Sequence, residues 1–332
     1  MTGHTMSRRA LRRTAACVGV GLLVATLASL PRPALAFVRY RTDTAAHCPF
    51  YWSKRSLSIV ASPKGAIDLT VDETTNAIQQ AVAVWTKRDA ALSSCTDLDM
   101  NVRVQGVDEP PPLAKYDRTH VIIFLTTSWC AAKDDGTLDP DCKVPHDPSA
   151  LAVTSVWSHK IYGEIMDADI EVNAKNFLWG DLVTTPDPSR QDLQNALTHE
   201  MGHFIGLDHT CYLPGIKAVP TDDTGALVPD CDSASPEVMA TTMFASARPG
   251  DVAKRTLEAD DIAAVCAMYP AGAPDTQACL PPDEGGCAIA PSAEAAPRSP
   301  LTSPWAFGAT GTALLGAVGW GLARRRNQRR RR

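Results

Sequence analysis

Along the chain, apolar and polar residues alternate in several short stretches and recur at helical spacing in two longer ones. "SLSIVA" from Ser56, "MNVRVQG" from Met100, "HVIIFLTT" from His120, "ALAVTSVW" from Ala150 and "GEIMDADIEVN" from Gly163 each read as a strand. In the last of these, Ile165, Asp167, Asp169, Glu171 and Asn173 share one face, while Met166, Ala168, Ile170 and Val172 share the other. After the first strand, Thr70 with Glu73 three residues later makes a capping box. Ile78, Ala81, Val82 and Trp85 then fall on one helical stripe. A second amphipathic helix is predicted where Leu193, Leu197, Met201 and Phe204 line one side, with Asp187-Pro188 or Ser189 as its cap and Gly206 as its stop. The order of strand, helix, several strands and helix predicts an α+β fold, a mixed sheet with helices packed against it.

Both ends depart from that pattern. Residues 1–36 combine the basic stretch "SRRALRR", the apolar run "CVGVGLLVATLASL" and a small-x-small site at Ala34 and Ala36, which is the layout of a secretory signal peptide with a mature start at Phe37. The folded domain is expected over 37–270, and 271–304, with seven prolines and many Ala and Ser residues, has the composition of a linker. Trp305 to Ala323 form a charge-free run long enough to cross a bilayer, followed at once by "RRRNQRRRR", which the positive-inside tendency keeps cytoplasmic. One reading of 305–332 is a plain membrane anchor. With Gly286-Cys287 ahead of it, the tail also resembles the MYXO-CTERM kind of bacterial sorting signal, which implies cleavage near Cys287 by a sorting enzyme. The chain is therefore expected to be secreted, or attached at the cell surface or outer membrane of a bacterium.

Charge follows the same division. The chain of 332 residues has 32 basic and 37 acidic side chains, yet twelve of the basic ones lie in the two ends, which contain no Asp or Glu. The remainder stands at 20 against 37, a balance of −17. A nucleic-acid partner is not expected for such a body, nor for arginines placed directly behind an apolar span. With Cys17 in the leader and Cys287 in the tail, eight cysteines remain, an even set that suits four disulfides in an oxidising compartment. Sequential pairing, 48–95, 130–142, 211–231 and 266–279, is the expectation, since each pair brackets a loop.

The chemistry is concentrated in "LTHEMGHFIGLDHT". His199 and His203 are four residues apart, so both imidazoles leave one face of a helix and can bind one ion. Glu200 is beside them, placed to polarise a water held by that ion. Gly206 permits the left-handed turn that returns His209 as a third ligand. Three imidazoles with one open position is the donor set of a catalytic zinc site, and imidazole suits zinc. Glu200 would take the proton as water attacks a carbonyl.

"HEMGHFIGLDH" resembles the metzincin signature H-E-x-x-H-x-x-G-x-x-H at every fixed position. Beyond it, "TTMFASARPGDVAKRTLEADDIAAVCAMYP" is similar to the Met-turn and C-terminal helix of the matrixin branch. That resemblance implies a metzincin-type zincin: a twisted mixed five-stranded sheet with two long helices, and a small C-terminal subdomain with Met-turn and helix. It also implies Met243, rather than Met239, as the Met-turn residue, and the strand carrying Ala152, Val153 and Thr154 as the edge along which an extended polypeptide substrate pairs. Thr210 stands where matrixins usually have Ser, and Phe244 offers no tyrosine ligand.

The expected activity is an exported zinc-dependent endopeptidase. The competing class is a surface-displayed binding or adhesion module on the same scaffold without turnover, which an intact Glu200 disfavours. Asp167, Asp169 and Glu171, and the loop from Asp134 to Asp141, offer oxygen ligands for structural calcium. A solvated strand face and a polar loop are the favoured readings over structural calcium, which stays the alternative. His47, His120, His146 and His159 lack ligand spacing and are expected to be surface or structural.

Overall fold

The computed structural model describes residues 37–273, apart from 63, 107, 111 and 217, together with Cys279. The expected leader, the Gly286-Cys287 motif and the apolar run of the tail lie outside the described residues, as does nearly all of the expected 271–304 linker. In chain order the elements are β1 (Val38–Arg39), β2 (Ser56–Ala61), α1 (Val71–Ala83), β3 (Asp99–Val104), β4 (His120–Leu125), β5 (Ala152–Ser158) and β6 (Ile165–Asn173). They continue with β7 (Trp179–Gly180), β8 (Gln191–Asp192), α2 (Leu193–Phe204), β9 (Leu207–Asp208), α3 (Pro236–Ala240) and α4 (Ala259–Met268).

The fold is mixed α+β around a five-stranded mixed sheet ordered β3-β2-β4-β6-β5. The first four strands run parallel, with Ile59 opposite His120 and Ile122 opposite Ile170, and β5 closes one edge antiparallel to β6. In β2 the alternation places Leu57, Ile59 and Ala61 inside. β4 lies between two strands, and its run Val121, Ile122 and Ile123 is buried, as a central parallel strand requires.

α1 starts at the expected capping box: the Glu73 N–H donates to Thr70 Oγ1 at 3.2 Å, and the Thr70 N–H to Glu73 Oε2 at 2.8 Å. Such a cap contributes about 1 kcal/mol. The buried stripe of Ala77, Ile78, Ala81 and Val82 outweighs it, because truncating one Ile or Leu of this kind costs about 2–5 kcal/mol. Trp85 falls two residues beyond the helix, yet its ring is fully buried and its Nε1–H donates to the Thr198 carbonyl at 2.8 Å. That bond pins the exit of α1 against α2.

α2 does not begin at Asp187 or Ser189. Its cap is Asp192, whose Oδ1 accepts from the Asn195 N–H at 2.8 Å, and Arg255 reaches both oxygens of the same carboxylate. The Asp187 carboxylate is used locally by Ser189 and Arg190, and a residue so engaged in a turn cannot also cap a helix. At the other end, Trp52 Nε1–H donates to the Phe204 carbonyl at 2.8 Å and the Tyr269 hydroxyl to the Ile205 carbonyl at 2.6 Å. These bonds satisfy acceptors that the last turn leaves open.

The polar face of β6 is not solvated. Asp167, Asp169, Glu171 and Asn173 are all buried, under the loops before β4 and β5. Asp169 accepts from the Lys115 and Val121 N–H groups at 2.8 and 2.9 Å, and Asp167 from those of Asp117 and Arg118 at 2.7 and 2.5 Å. His120 Nδ1 lies 2.8 Å from Asp167, and Asn173 Nδ2 donates to the Ala150 carbonyl at 2.8 Å. Alternation identifies a polar face; whether water or backbone amides meet it depends on where the loops return. In the Asp134–Asp141 loop, Asp135 and Asp139 accept from nearby backbone amides.

Four disulfides join the eight cysteines, two of them as expected, Cys130–Cys142 and Cys211–Cys231. The other two are Cys95–Cys266 and Cys48–Cys279, which replace the sequential pairs 48–95 and 266–279. Short loops can be foreseen from spacing, whereas these bridges span 171 and 231 residues and join segments that only tertiary packing brings together, as where Thr96 pairs with Pro270 beside Cys95–Cys266. No helix among the described residues is long and apolar enough to cross a membrane.

Candidate metal centre

Three elements bring the histidines together. His199 and His203 lie one turn apart on α2, and both side chains are buried. After Ile205 the chain reverses at Gly206, whose φ of +101° is a conformation that only glycine adopts readily. A Cβ there would also stand 2.9 Å from the Phe50 carbonyl oxygen. β9 then pairs antiparallel with β1, Val38 opposite Asp208, and this short ladder holds His209 facing the helix.

The Nε2 atom of His209 lies 3.2 Å from that of His199 and 3.1 Å from that of His203. The ring protons of the helical pair can be assigned from their partners. His199 Nδ1–H donates to the Thr242 carbonyl at 2.6 Å, and His203 Nδ1–H to the Leu207 carbonyl at 2.9 Å. Both Nε2 atoms of the helical pair are therefore acceptors aimed at His209 Nε2, an arrangement that one shared cation satisfies when His209 also presents a lone pair. An ion about 2.0–2.1 Å from each of three tetrahedrally placed nitrogens sets those nitrogens about 3.3 Å apart, close to what is found. The residues thus fit a divalent ion held by His199, His203 and His209, all of whose ligand atoms lie within 4.8 Å of one another.

The surroundings keep the donors neutral. Burial, reinforced by the nearby Lys254 cation and the other imidazoles, holds His199 well below the usual histidine range. Burial likewise lowers His209, and it takes His203 to about 4. Neutral imidazoles are the form that binds metal.

Second contacts orient these rings. The Thr242 carbonyl that receives His199 is fixed in turn, because the Thr242 N–H donates to Asp261 Oδ2 at 3.0 Å. The Tyr40 hydroxyl oxygen lies 3.1 Å from His203 Nδ1 and, beside the Leu207 carbonyl, is a second acceptor for the Nδ1 proton. Lys254, also buried, sends its ammonium to the Phe244 carbonyl and within 3.3 Å of His199 Nδ1. Burial lowers that ammonium to about 8.

Glu200 is fully buried on the same helix. Its Oε2 accepts from Thr154 Oγ1–H at 2.6 Å, whereas Oε1 has no hydrogen-bond partner. Burial raises its carboxyl to about 7, against the opposing effects of the Thr154 hydrogen bond and the Lys254 charge. Met243 packs beneath α2: a Cβ added to Gly202 would come within 2.1 Å of its sulfur. Met239, by contrast, is 46% exposed.

Of the edge-strand residues, Ala152, Val153 and Thr154 are buried and lie on β5, the outermost strand of the sheet. Thr154 turns its hydroxyl inward to Glu200. The three histidines come together as their spacing predicts, with Glu200 on the same helix and Met243 against Gly202. Tyr40, Lys254 and the inward role of Thr154 carried no spacing signal, and Asp261 was visible only as half of an Asp-Asp pair. No protein-family model matches the chain, and no curated protein matches it significantly in sequence.

Proposed function

We propose that this chain is an exported zinc-dependent endopeptidase of the matrixin-like metzincin type. The observation that carries the reading is the pairing of three inward-facing Nε2 atoms with a buried carboxylate that has one oxygen unpartnered. His199, His203 and His209 would hold the ion, and Met243 forms the floor beneath them. Bound there, zinc supplies Lewis acidity, which polarises a carbonyl and makes water a nucleophile near neutral pH. Glu200 Oε1 then accepts a proton from the attacking water and passes it to the departing amide nitrogen. Such proton transfer contributes roughly 10²–10⁴-fold. The free edge of β5 offers N–H and C=O groups to an extended peptide, which favours a polypeptide substrate.

In this reading the sheet with α1 and α2 forms the upper part of the enzyme, and the segment after His209, with the Met243 turn and α4, closes the site from below. Export rests on the leader and on the disulfides, and surface attachment on the tail.

The test is Glu200→Ala. The variant should keep one equivalent of zinc by elemental analysis while peptide cleavage falls at least about 100-fold. Undiminished hydrolysis rules out Glu200 as the base. A zinc-loaded wild-type chain that cuts no protein or peptide mixture supports the binding-module alternative.

A further inference from the structure

We infer that Thr154 is a positioning residue for Glu200, fixing the carboxylate so that Oε1 alone meets the proton of the reacting water. This rests on the hydrolytic reading above. The Thr154 side chain is almost wholly buried and makes two contacts, 2.6 Å to Glu200 Oε2 and 3.3 Å to the Glu200 backbone carbonyl. Its one hydroxyl proton is therefore directed at the carboxylate. A β-branched side chain in a packed strand has little χ1 freedom, so the donor is held in place before substrate arrives.

The consequence for Glu200 is an asymmetry between its two oxygens. Oε2 is occupied, and Oε1 is buried with no protein partner. An acceptor left so is costly unless the reaction uses it. The step balances on that oxygen. As the water oxygen bonds to the peptide carbon, one water O–H breaks and its proton moves to Oε1. When the C–N bond breaks, the same proton goes to the leaving nitrogen, and Oε1 is free again. Oε2 stays on the Thr154 hydroxyl throughout.

Thr154 also sits within the outermost strand, opposite Ile170 of β6. The strand whose free edge would register the peptide backbone thus also carries the group that aims the base. Docking geometry and base geometry are tied through one residue, and displacements of about 1 Å at such sites cost roughly 100-fold in rate.

The experiment compares Thr154→Val, Thr154→Ser and Thr154→Ala in the zinc-loaded protein. Thr154→Val keeps the shape and removes the donor. Its kcat should fall about 10- to 100-fold, as expected for loss of a hydrogen bond to a charged group, with KM changed less than about 3-fold and zinc retained. Thr154→Ser should recover most of kcat, and Thr154→Ala covers the case in which the valine variant does not fold. Crystal structures of the variants supply a readout free of turnover: the Glu200 carboxylate should be displaced or split in Thr154→Val and stay in place in Thr154→Ser. An unchanged kcat in Thr154→Val, a serine variant as impaired as the valine one, or a carboxylate undisturbed in Thr154→Val would each overturn the proposal. A wild-type chain without peptidase activity defeats the hydrolytic reading instead, and the crystallographic comparison still decides the role of Thr154.

Discussion

An imidazole serves as a ligand only when the right nitrogen carries the lone pair and the ring cannot turn away. In His199 and His203 that choice is made by the carbonyls of Thr242 and Leu207, each of which takes the Nδ1 proton. Tyr40 adds a second acceptor at His203, and burial keeps its phenol protonated well above the ordinary range. Partners of this kind commonly account for 10- to 100-fold in metal affinity. Tyr40→Phe should therefore weaken zinc binding by about 10-fold, the low end, because the Leu207 carbonyl remains. Chelator competition measures this directly, and an unchanged affinity would show that the hydroxyl orients nothing.

At the level of elements, β6 works as two different surfaces. One face contributes Ala168, Ile170 and Val172 to the apolar core. The other is a row of acceptors that fastens the loops passing over it. Each buried N–H left without its acceptor costs about 1–3 kcal/mol, so hydrogen bonding holds these loops together with the apolar burial of Ala114, Ala150 and Leu151. Asp169 shows the electrostatic consequence. Burial and the neighbouring Asp167 raise its carboxyl to about 8, against the two amides that lower it. The folded chain thus keeps a proton there that the unfolded chain releases near pH 4. The stabilisation is complete below about pH 4 and is lost as pH rises towards about 8. Asp169→Asn has only one acceptor oxygen and should be less stable by about 1–3 kcal/mol at pH 5, with the gap to wild type narrowing by pH 8. Urea unfolding at both pH values tests this, and a constant or widening gap would contradict it.

Over the whole described chain, the N-terminal strap runs beside the site, where Tyr40 meets His203, and a disulfide ties that strap to the C-terminal end. The residues just after the predicted leader enter the fold at once: Asp223 N–H donates to the Phe37 carbonyl at 3.0 Å, Arg39 and Arg41 both pair with Asp223 at 2.7 Å, and β1 braces β9. Cys48 ties this strap to Cys279, six residues past the last continuously described residue. A long loop closed in this way restricts the unfolded chain most, by up to roughly 4–5 kcal/mol in the chain-entropy view. If the chain is exported as proposed, mass spectrometry of the released form should find a start at Phe37, no residues past about Cys287, and, without reduction, a peptide pair joining Cys48 to Cys279. An intact arginine cluster would favour a plain anchor over the sorting reading. A Cys48–Cys95 peptide would restore the sequential pairing.

What the sequence determined by itself is what depends on local period and short range. The Thr70–Glu73 box, the alternation in β2 and β6, the helical interval between His199 and His203 and the glycine before His209 are set by backbone geometry within a dozen residues, so they can be read without a fold. The tertiary structure decided everything that joins distant segments: Asp192 in place of Asp187 as the cap of α2, amides in place of water on the Asp167 face, the bridges of Cys48 and Cys95, and Thr154 against Glu200. Those contacts obey no period. They arise because a five-stranded sheet and two helices, once packed, leave each buried acceptor to find whatever donor the topology brings within hydrogen-bonding reach.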